Sequence, residues 1–594
     1  LTIAAAVAAV AGLVSPALGR PYVAPPGDLT SVNCGGATAP DAPSAGGVCY
    51  DIPADKHFAA ITITDTHGQP TTGEYYFRDA TATNMPGTEG FLCGNRTVAI
   101  PAGAVRITVY VTASNQAQAC GLAAVPGTTG TVDVSFLTDH TFNPVVPGTT
   151  GAGSPNVQPV ANVPYSVVSG WPWPGGTDLE FADLTYQGTT RKFAIAGSYQ
   201  NGMHLVDIST PTAPNEVAVY DCRIYQADVQ VFTRGARSFV AYGIDDYSRT
   251  DPGSKCFTDL GLGTTTPVLY GTLVIEVTDP AAPKSVGFLP FAQGSHNTTI
   301  HPGGRYLYSS NADLPGVGTV EVFDLQDFAN PQLVSSVLLP GSLPSHDVTF
   351  SADGSRAYVA ALSATYILDT TNPADPKPVG RIVDPTINIH HQADPVTLTD
   401  PVLGTRTFLL VTDEIAGAEG NGACPGGGIH VFDITGPLEA APVKVGFFSL
   451  PEVSQAKPRT RCTAHVMRIY PDQKLLTIAW YASGVHVLDL SSLVGVSVGN
   501  RATGSAGAGI KQVGWFAYDV TDTWSVKAPA DRFEPDGSFY MYANDQLRGF
   551  DVYRYDATAP KATQAGVWLT AAQAKSTLRT RSGPYQVSCI LRTA

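Results

Sequence analysis

Four histidines stand at matching points in successive repeat units of this 594-residue chain: His296-Asn297, His346-Asp347, His390-His391-Gln392 and Ala464-His465-Val466. Neutral imidazole is a good ligand for iron, copper, zinc, nickel or manganese, and separate structural units can hold several rings rigidly around one point. The pattern therefore offers His296, His346, His391 and His465 as ligands of one transition metal ion (Fe, Cu, Zn or Mn), with His390 an alternative to its neighbour His391. Asp178, Asp228 and Asp347 fall at or beside the same points and could orient the imidazoles as hydrogen-bonded carboxylates. The corresponding positions in the other units are Thr177-Asp178, Ala227-Asp228 and Thr523-Trp524, so the repeat itself does not demand histidine. A structural use is also open, in which these side chains bond loop backbone as buried polar groups must.

Other candidates carry weaker signals. His204, His430 and His486 precede the VD, VFD or VLD core of a strand and are expected to face a sheet edge; His301 sits at a Pro302-Gly303-Gly304 turn. Glu414 lies in a long loop that could wall a pocket. The stretch CPGGGIHVFD (424–433) is glycine-rich, but it lacks the lysine and the strand-loop-helix setting of a phosphate loop. No G-x-S-x-G nucleophile elbow occurs. Trp171, Trp173, Trp480, Tyr481 and Trp524 fall at strand ends, where stacking on a sugar and packing of a core are both available.

The elements that must position these residues are short strands. Within residues 343–382, His346-Asp347 opens a strand, 352–354 is a turn, and 357–362 and 364–369 are strands leading to a Pro-rich connection and a fourth strand. The same unit recurs as GMHLVDISTPTAPNEVAVY (202–220), GTLVIEVTDPAAPKSVGFLP (271–290), GTVEVFDLQDFANPQLVSSVLLP (318–340), GIHVFDITGPLEAAPVKVGFFSLP (428–451), GVHVLDLSSL (484–493) and a worn copy at 547–560. Four antiparallel strands in about forty residues, seven times over, predict a seven-bladed β-propeller over residues 165–560, with each opening strand on the central channel. A ring of sheets must close or expose unpaired edges, and residues 165–171 are expected to supply the outer strand of the last blade. Alternating runs such as FAAITITD (58–65) and VRITVYVTAS (105–114) predict a β-sandwich accessory domain over 20–144. Residues 145–164, rich in Gly, Pro, Ser and Asn, read as a linker, and 561–594 as a tail with a short helix.

The repeated xLVIVDxxxPxxPxxVG pattern, with its A/H-D-V strand opening, resembles LVIVD-repeat propellers, a family of mostly exported bacterial proteins. The resemblance spans Tyr165 to about Ala559 and implies a fold, not an activity.

Bulk composition sets the remaining bounds. Only 14% of residues are charged, while Gly (60) and Pro (46) are plentiful, which suits short strands and tight turns. A net charge of −15 argues against nucleic acid or an anionic membrane surface as partner. Residues 1–19 are apolar and end in Ala17-x-Gly19, the pattern of a cleaved export signal, so the protein is expected to be secreted, with no membrane span in the mature chain. Nine cysteines in an exported chain point to disulfides. Proximity suggests Cys34–Cys49, Cys93–Cys120, Cys222–Cys256 and Cys424–Cys462, though spacing alone leaves the connectivity open. With no unambiguous general base or nucleophile, the preferred expectation is an extracellular binding module that takes a protein or glycan ligand at its loops. The alternative is a metal-dependent oxidoreductase or lyase with its ion at one end of the channel.

Overall fold

The computed structural model describes residues 31–32, most of 48–111 and 130–137, and 151–565 apart from loops such as 246–250, 264–270, 312–317, 415–426, 451–461 and 498–505. The expected signal (1–19) and tail helix, with Trp171 and Trp173, lie outside the described residues. The chain divides into two units, one over Leu1–Thr141 with Ala594, the other over Phe142–Thr593. Both are built of β-structure, and the one α-helix among the described residues is the four-residue turn Lys255–Thr258. No helix among those residues is long and apolar enough to cross a membrane.

The first unit has a five-stranded and a three-stranded antiparallel sheet. Strand side chains point to alternate faces, so Phe58–Asp65 buries Ala59, Ile61 and Ile63 at every second position. Those residues share one core with Phe77, Ile107, Val109, Val132 and Val134 from both sheets.

Among the described residues, the second unit contains seven antiparallel sheets, each of at least four strands. The opening strand of each is the one that matters for the site. These are β2 (Gly176–Tyr186), β3 (Gln226–Arg234), β4 (Thr298–Ile300), β5 (Asp347–Phe350), β6 (His390–Asp400), β7 (Met467–Tyr470) and β8 (Thr523–Lys527), numbered after a preceding strand β1 (Val157–Val163). Each opening strand contacts the next in chain order, and β8 contacts β2, so the seven sheets form a closed cycle of neighbours. The core lies between adjacent sheets: Phe408, Leu410 and Ile429 of the fifth pack with Leu476, Ile478 and Trp480 of the sixth.

Closure falls on β1, which pairs antiparallel with β9 (Gly549–Tyr555) from the other end of the chain. The outer place in the last sheet, expected of residues 165–171, is therefore held by Val157–Val163, and residues 151–163 are not a free linker. Val157–Val163 contains Pro159, which reads as a strand breaker. At an outer edge, however, its missing N–H costs no ladder bond, and the register slips between Pro159 and Ala161 to accommodate it. Cys222 and Cys256 form a disulfide across 34 residues. Cys49 and Cys462 are also disulfide-bonded, and the other expected pairs each include a side chain outside the described residues.

Candidate metal centre

His296, His346 and His465 lie one or two residues before β4, β5 and β7, and His391 is the second residue of β6. The sheet pairing slips within the first residues of β2, β3, β6 and β8, between His390 and Ala393 in the case of β6. Such bulges re-aim side chains. Strict alternation therefore fails at His391 and Gln392, which both line the channel cavity; His346 and Asp347 both line it as well, His346 lying just before β5 begins. Gln200, Gln226, Ala227, Leu362 and Tyr481 adopt positive φ values of 45–72° at this end of the sheets. Left-handed backbone in non-glycine residues costs energy and gathers where a site is held in an imposed geometry.

The four imidazoles form an arc. Ring centroids are 4.3 Å apart for His296–His346, 4.2 Å for His346–His391 and 4.3 Å for His391–His465. All four are buried. For His296, His346 and His465, hydrogen bonds fix which nitrogen carries the proton. His346 Nδ1 lies 2.8 Å from the His391 carbonyl and His465 Nδ1 lies 2.6 Å from the Trp524 carbonyl. A carbonyl only accepts, so both Nδ1 atoms donate. His296 Nδ1 likewise faces the Asp245 carboxylate at 3.0 Å. In the neutral rings, Nε2 is then the lone-pair nitrogen, and His296 Nε2 and His346 Nε2 stand 2.9 Å apart. Two lone pairs at that distance repel unless a proton or a metal ion lies between them. Burial, then the neighbouring His296 and His465, push His346 well below the usual imidazole range, which disfavours the proton. His391 is depressed in the same way by burial and by His346. A pair of nitrogens each about 2.1 Å from one ion, at a right angle, would sit roughly 3 Å apart.

A carboxylate completes the cluster. His346, His391 and Glu414 each offer one ligand atom, and these lie within 4.8 Å of one another. Glu414 Oε2 is 3.8 Å from His391 Nε2, while Glu414 Oε1 accepts a 2.9 Å hydrogen bond from Tyr481. Tyr481 and Trp524 pack on His465 at 4.4 and 4.5 Å, and Tyr199 and Tyr225 join the same apolar cluster. Tyr199 also donates to Gln226, whose amide nitrogen is 3.3 Å from His296 Nε2.

A cavity of about 530 Å³ opens on this cluster, lined by His346, His391, His465 and the channel-facing residues of the opening strands. Asp178, Asp228 and Asp347 belong to that lining and do not bond the imidazoles, contrary to the expectation that they orient them. Lys527 Nζ bonds Asp178 and Glu180 at 2.8 and 2.9 Å, and Arg468 also pairs with Glu180. Asp228 accepts from the Thr298 N–H and Asp347 from the Val348 N–H. Burial and then Asp394 raise Asp347 to about 7; burial and then Asp178 raise Asp228. Against burial, Arg468 and Lys527 hold Glu180 below its ordinary value.

The carboxylates that meet imidazoles are instead Asp245 and Glu414. Both immediately follow the second strand of their sheet, the position also held by Tyr199 and Leu362 in other sheets. Aligning that second column, beside the histidine column, is the signal that would have found them.

The remaining histidines stand elsewhere. His390 faces away from the cluster and bonds Thr365 through Nδ1 at 2.8 Å, so His391 is the inward member of the pair. His204, His430 and His486 are fully buried in their sheets, not at sheet edges: His204 bonds Glu216 at 2.6 Å, His430 packs on Phe447, and His486 accepts from Gln512 at 2.7 Å. Burial lowers His390 and His486 to about 3. The unfolded chain takes up those protons near pH 6.5 and the folded chain only near 3, so each ring's contribution to stability is lost as pH falls through that window. The slope is about 1.4 kcal/mol per pH unit per ring. Urea unfolding of wild type and His486→Gln from pH 7 to 5 should show the gap between them narrowing as pH falls; parallel curves would contradict this.

Comparison with known proteins yields no matching family model and no matching curated protein. Among solved structures, the chain is similar to the Cps50 (Swd1) β-propeller domain of Myceliophteria thermophila, at 10% identity and TM-score 0.42, over 67% of this chain and 99% of that one. It is also similar to a functionally unknown protein from Desulfotomaculum acetoxidans, at 16% identity and TM-score 0.34, over 52% and 83%.

Proposed function

We propose that the second unit is an exported seven-bladed β-propeller of the LVIVD type that holds one transition metal ion at the inner end of its channel, with the first unit as a β-sandwich accessory domain. His296, His346, His391 and His465 would supply imidazole nitrogens and Glu414 a carboxylate oxygen. The observation that carries this reading is the pair of Nε2 atoms 2.9 Å apart, each on a ring whose Nδ1 faces a hydrogen-bond acceptor. Outer hydrogen bonds of this kind orient metal-binding histidines and raise their basicity. An ion of this class supplies Lewis-acid or one-electron chemistry, as an oxidoreductase or lyase would use. The chain's own residues do the rest. Burial keeps His346 and His391 neutral, Tyr481 fixes the Glu414 carboxylate, and the aromatic cluster keeps water from that side. A cavity of about 530 Å³ is in the range that encloses small molecules.

Metal content of full-length protein purified without chelator tests the reading. About one equivalent is expected in wild type and in His486→Gln, and less than a tenth in His346→Ala and His391→Ala. A second reading, the extracellular binding module, draws on exposed apolar residues of the third and fourth sheets such as Leu333, Leu338 and Val383. Metal-free wild type that keeps its fold would favour that reading instead.

A further inference from the structure

The arc of imidazoles is continued by an amide from the sheet before it. Ala227 holds the histidine position of the second sheet, and its methyl group offers no ligand atom. Gln226, the residue before it, turns inward instead. Gln226 and Ala227 have φ values of 72° and 63°, and the pairing of β3 slips between Gln226 and Val229. Backbone of this kind costs energy and persists where the surrounding fold imposes it. It sets the buried Gln226 amide with its nitrogen 3.3 Å from His296 Nε2. Chemistry decides which end of the amide faces the ring. Tyr199 donates to Oε1 at 2.9 Å, and His296 Nε2 carries a lone pair because Nδ1 faces Asp245. The Gln226 N–H therefore donates to His296.

That hydrogen bond and a metal ion compete for one lone pair. Once His296 gives its Nε2 to an ion, the Gln226 N–H has lost its acceptor. The nearest other lone pair, on His346 Nε2, belongs to the same ion. Tyr199 still holds the amide oxygen, so the donor stays beside the ion, and Gln226 belongs to the lining of the channel cavity. A buried donor is normally satisfied, so the loaded centre must present a new acceptor there. We infer that the metal centre keeps one coordination position open toward Gln226, and that a small ligand binds it through an atom that accepts from the Gln226 amide. Water fills this position at rest, and a small anion or a carbonyl oxygen displaces it. The inference rests on the metal-centre reading and makes the site one of the open, catalytic kind rather than the closed, structural kind.

Full-length protein loaded with Co(II) and titrated with azide, followed by its visible absorption bands, tests this. Azide is expected to shift the bands of wild type. In Gln226→Leu its binding should weaken about tenfold, the loss of one hydrogen bond to a charged acceptor. Co(II) affinity should hold or rise in that variant, because the amide no longer competes for the His296 lone pair. Tyr199→Phe, which releases the amide oxygen, should weaken azide severalfold, and it decides the matter if Gln226→Leu fails to fold. Azide that leaves the wild-type bands unchanged, or that binds wild type and both variants equally, overturns the inference and leaves the metal centre standing. Co(II) and azide affinity falling together in Gln226→Leu would make Gln226 a mere support of the rings and overturns it too. Wild type that takes up no Co(II) overturns both readings.

Discussion

A chain that begins at Pro164, without β1, is expected to lose the cooperative fold of the second unit. Val157–Val163 pairs with Gly549–Tyr555 across six register positions, and Val157 is fully buried in the core between the sixth and seventh sheets. Ladder hydrogen bonds contribute about 1 kcal/mol each on balance, and burying a valine adds roughly 1.5 kcal/mol or more. The sum is on the order of 5–8 kcal/mol, comparable with the whole stability of an ordinary domain, about 5–15 kcal/mol. Truncation would also bare Gly549–Tyr555 as a sheet edge open to pairing with other chains. Size-exclusion chromatography and urea unfolding should show aggregated or uncooperatively unfolding protein. A monomer with an unchanged midpoint would mean that the ring does not depend on this strand.

The second large effect belongs to the buried pair that fastens the same seam. Arg548 is fully buried and bonds Asp551 through Nε at 2.5 Å and Nη2 at 2.7 Å, with its guanidinium 3.4 Å from the Tyr518 ring centre. Asn162 of β1 donates to the same carboxylate at 2.9 Å. Asp551→Ala strands the guanidinium without its counter-charge and frees the Asn162 amide. Breaking one side of a buried ion pair costs about 3–5 kcal/mol. Replacing both partners, as in Arg548→Met/Asp551→Ala, removes the uncompensated charge and should recover a large part of that loss. Equilibrium unfolding of the single and double variants checks both statements, and a double variant weaker than the sum of the singles would contradict them.

Much of the second unit could be read from the chain because its signal is repeated. A strand of β-branched residues, an Asp and a Pro-rich turn mean little once, and seven copies fix the spacing of the sheets. Strand β1 escaped for a local reason: VQPVANV carries Pro159 and Asn162, which speak for a loop, and only its place at an outer edge makes the proline harmless. The histidine column was visible for the same reason as the sheets, since equivalent positions in a repeat meet around one axis. Its partners were not. Asp178, Asp228 and Asp347 fall at or beside the histidine positions of the repeat and so read as orienting carboxylates, but they line the cavity and bond backbone or Lys527. Asp245 and Glu414 sit just past strand ends, where no periodicity constrains a side chain, and only their position in the fold brings them to His296 and His391.

The proposed metal centre requires an ion among these rings. Crystals of protein purified without chelator, measured at the absorption edge of the metal found by elemental analysis, test it most directly. One anomalous peak is expected within about 2.3 Å of nitrogens of His346 and His391 and of a Glu414 oxygen, with His296 and His465 turned toward it. Metal-free density there, with His296 and His346 simply hydrogen-bonded to each other, would contradict it.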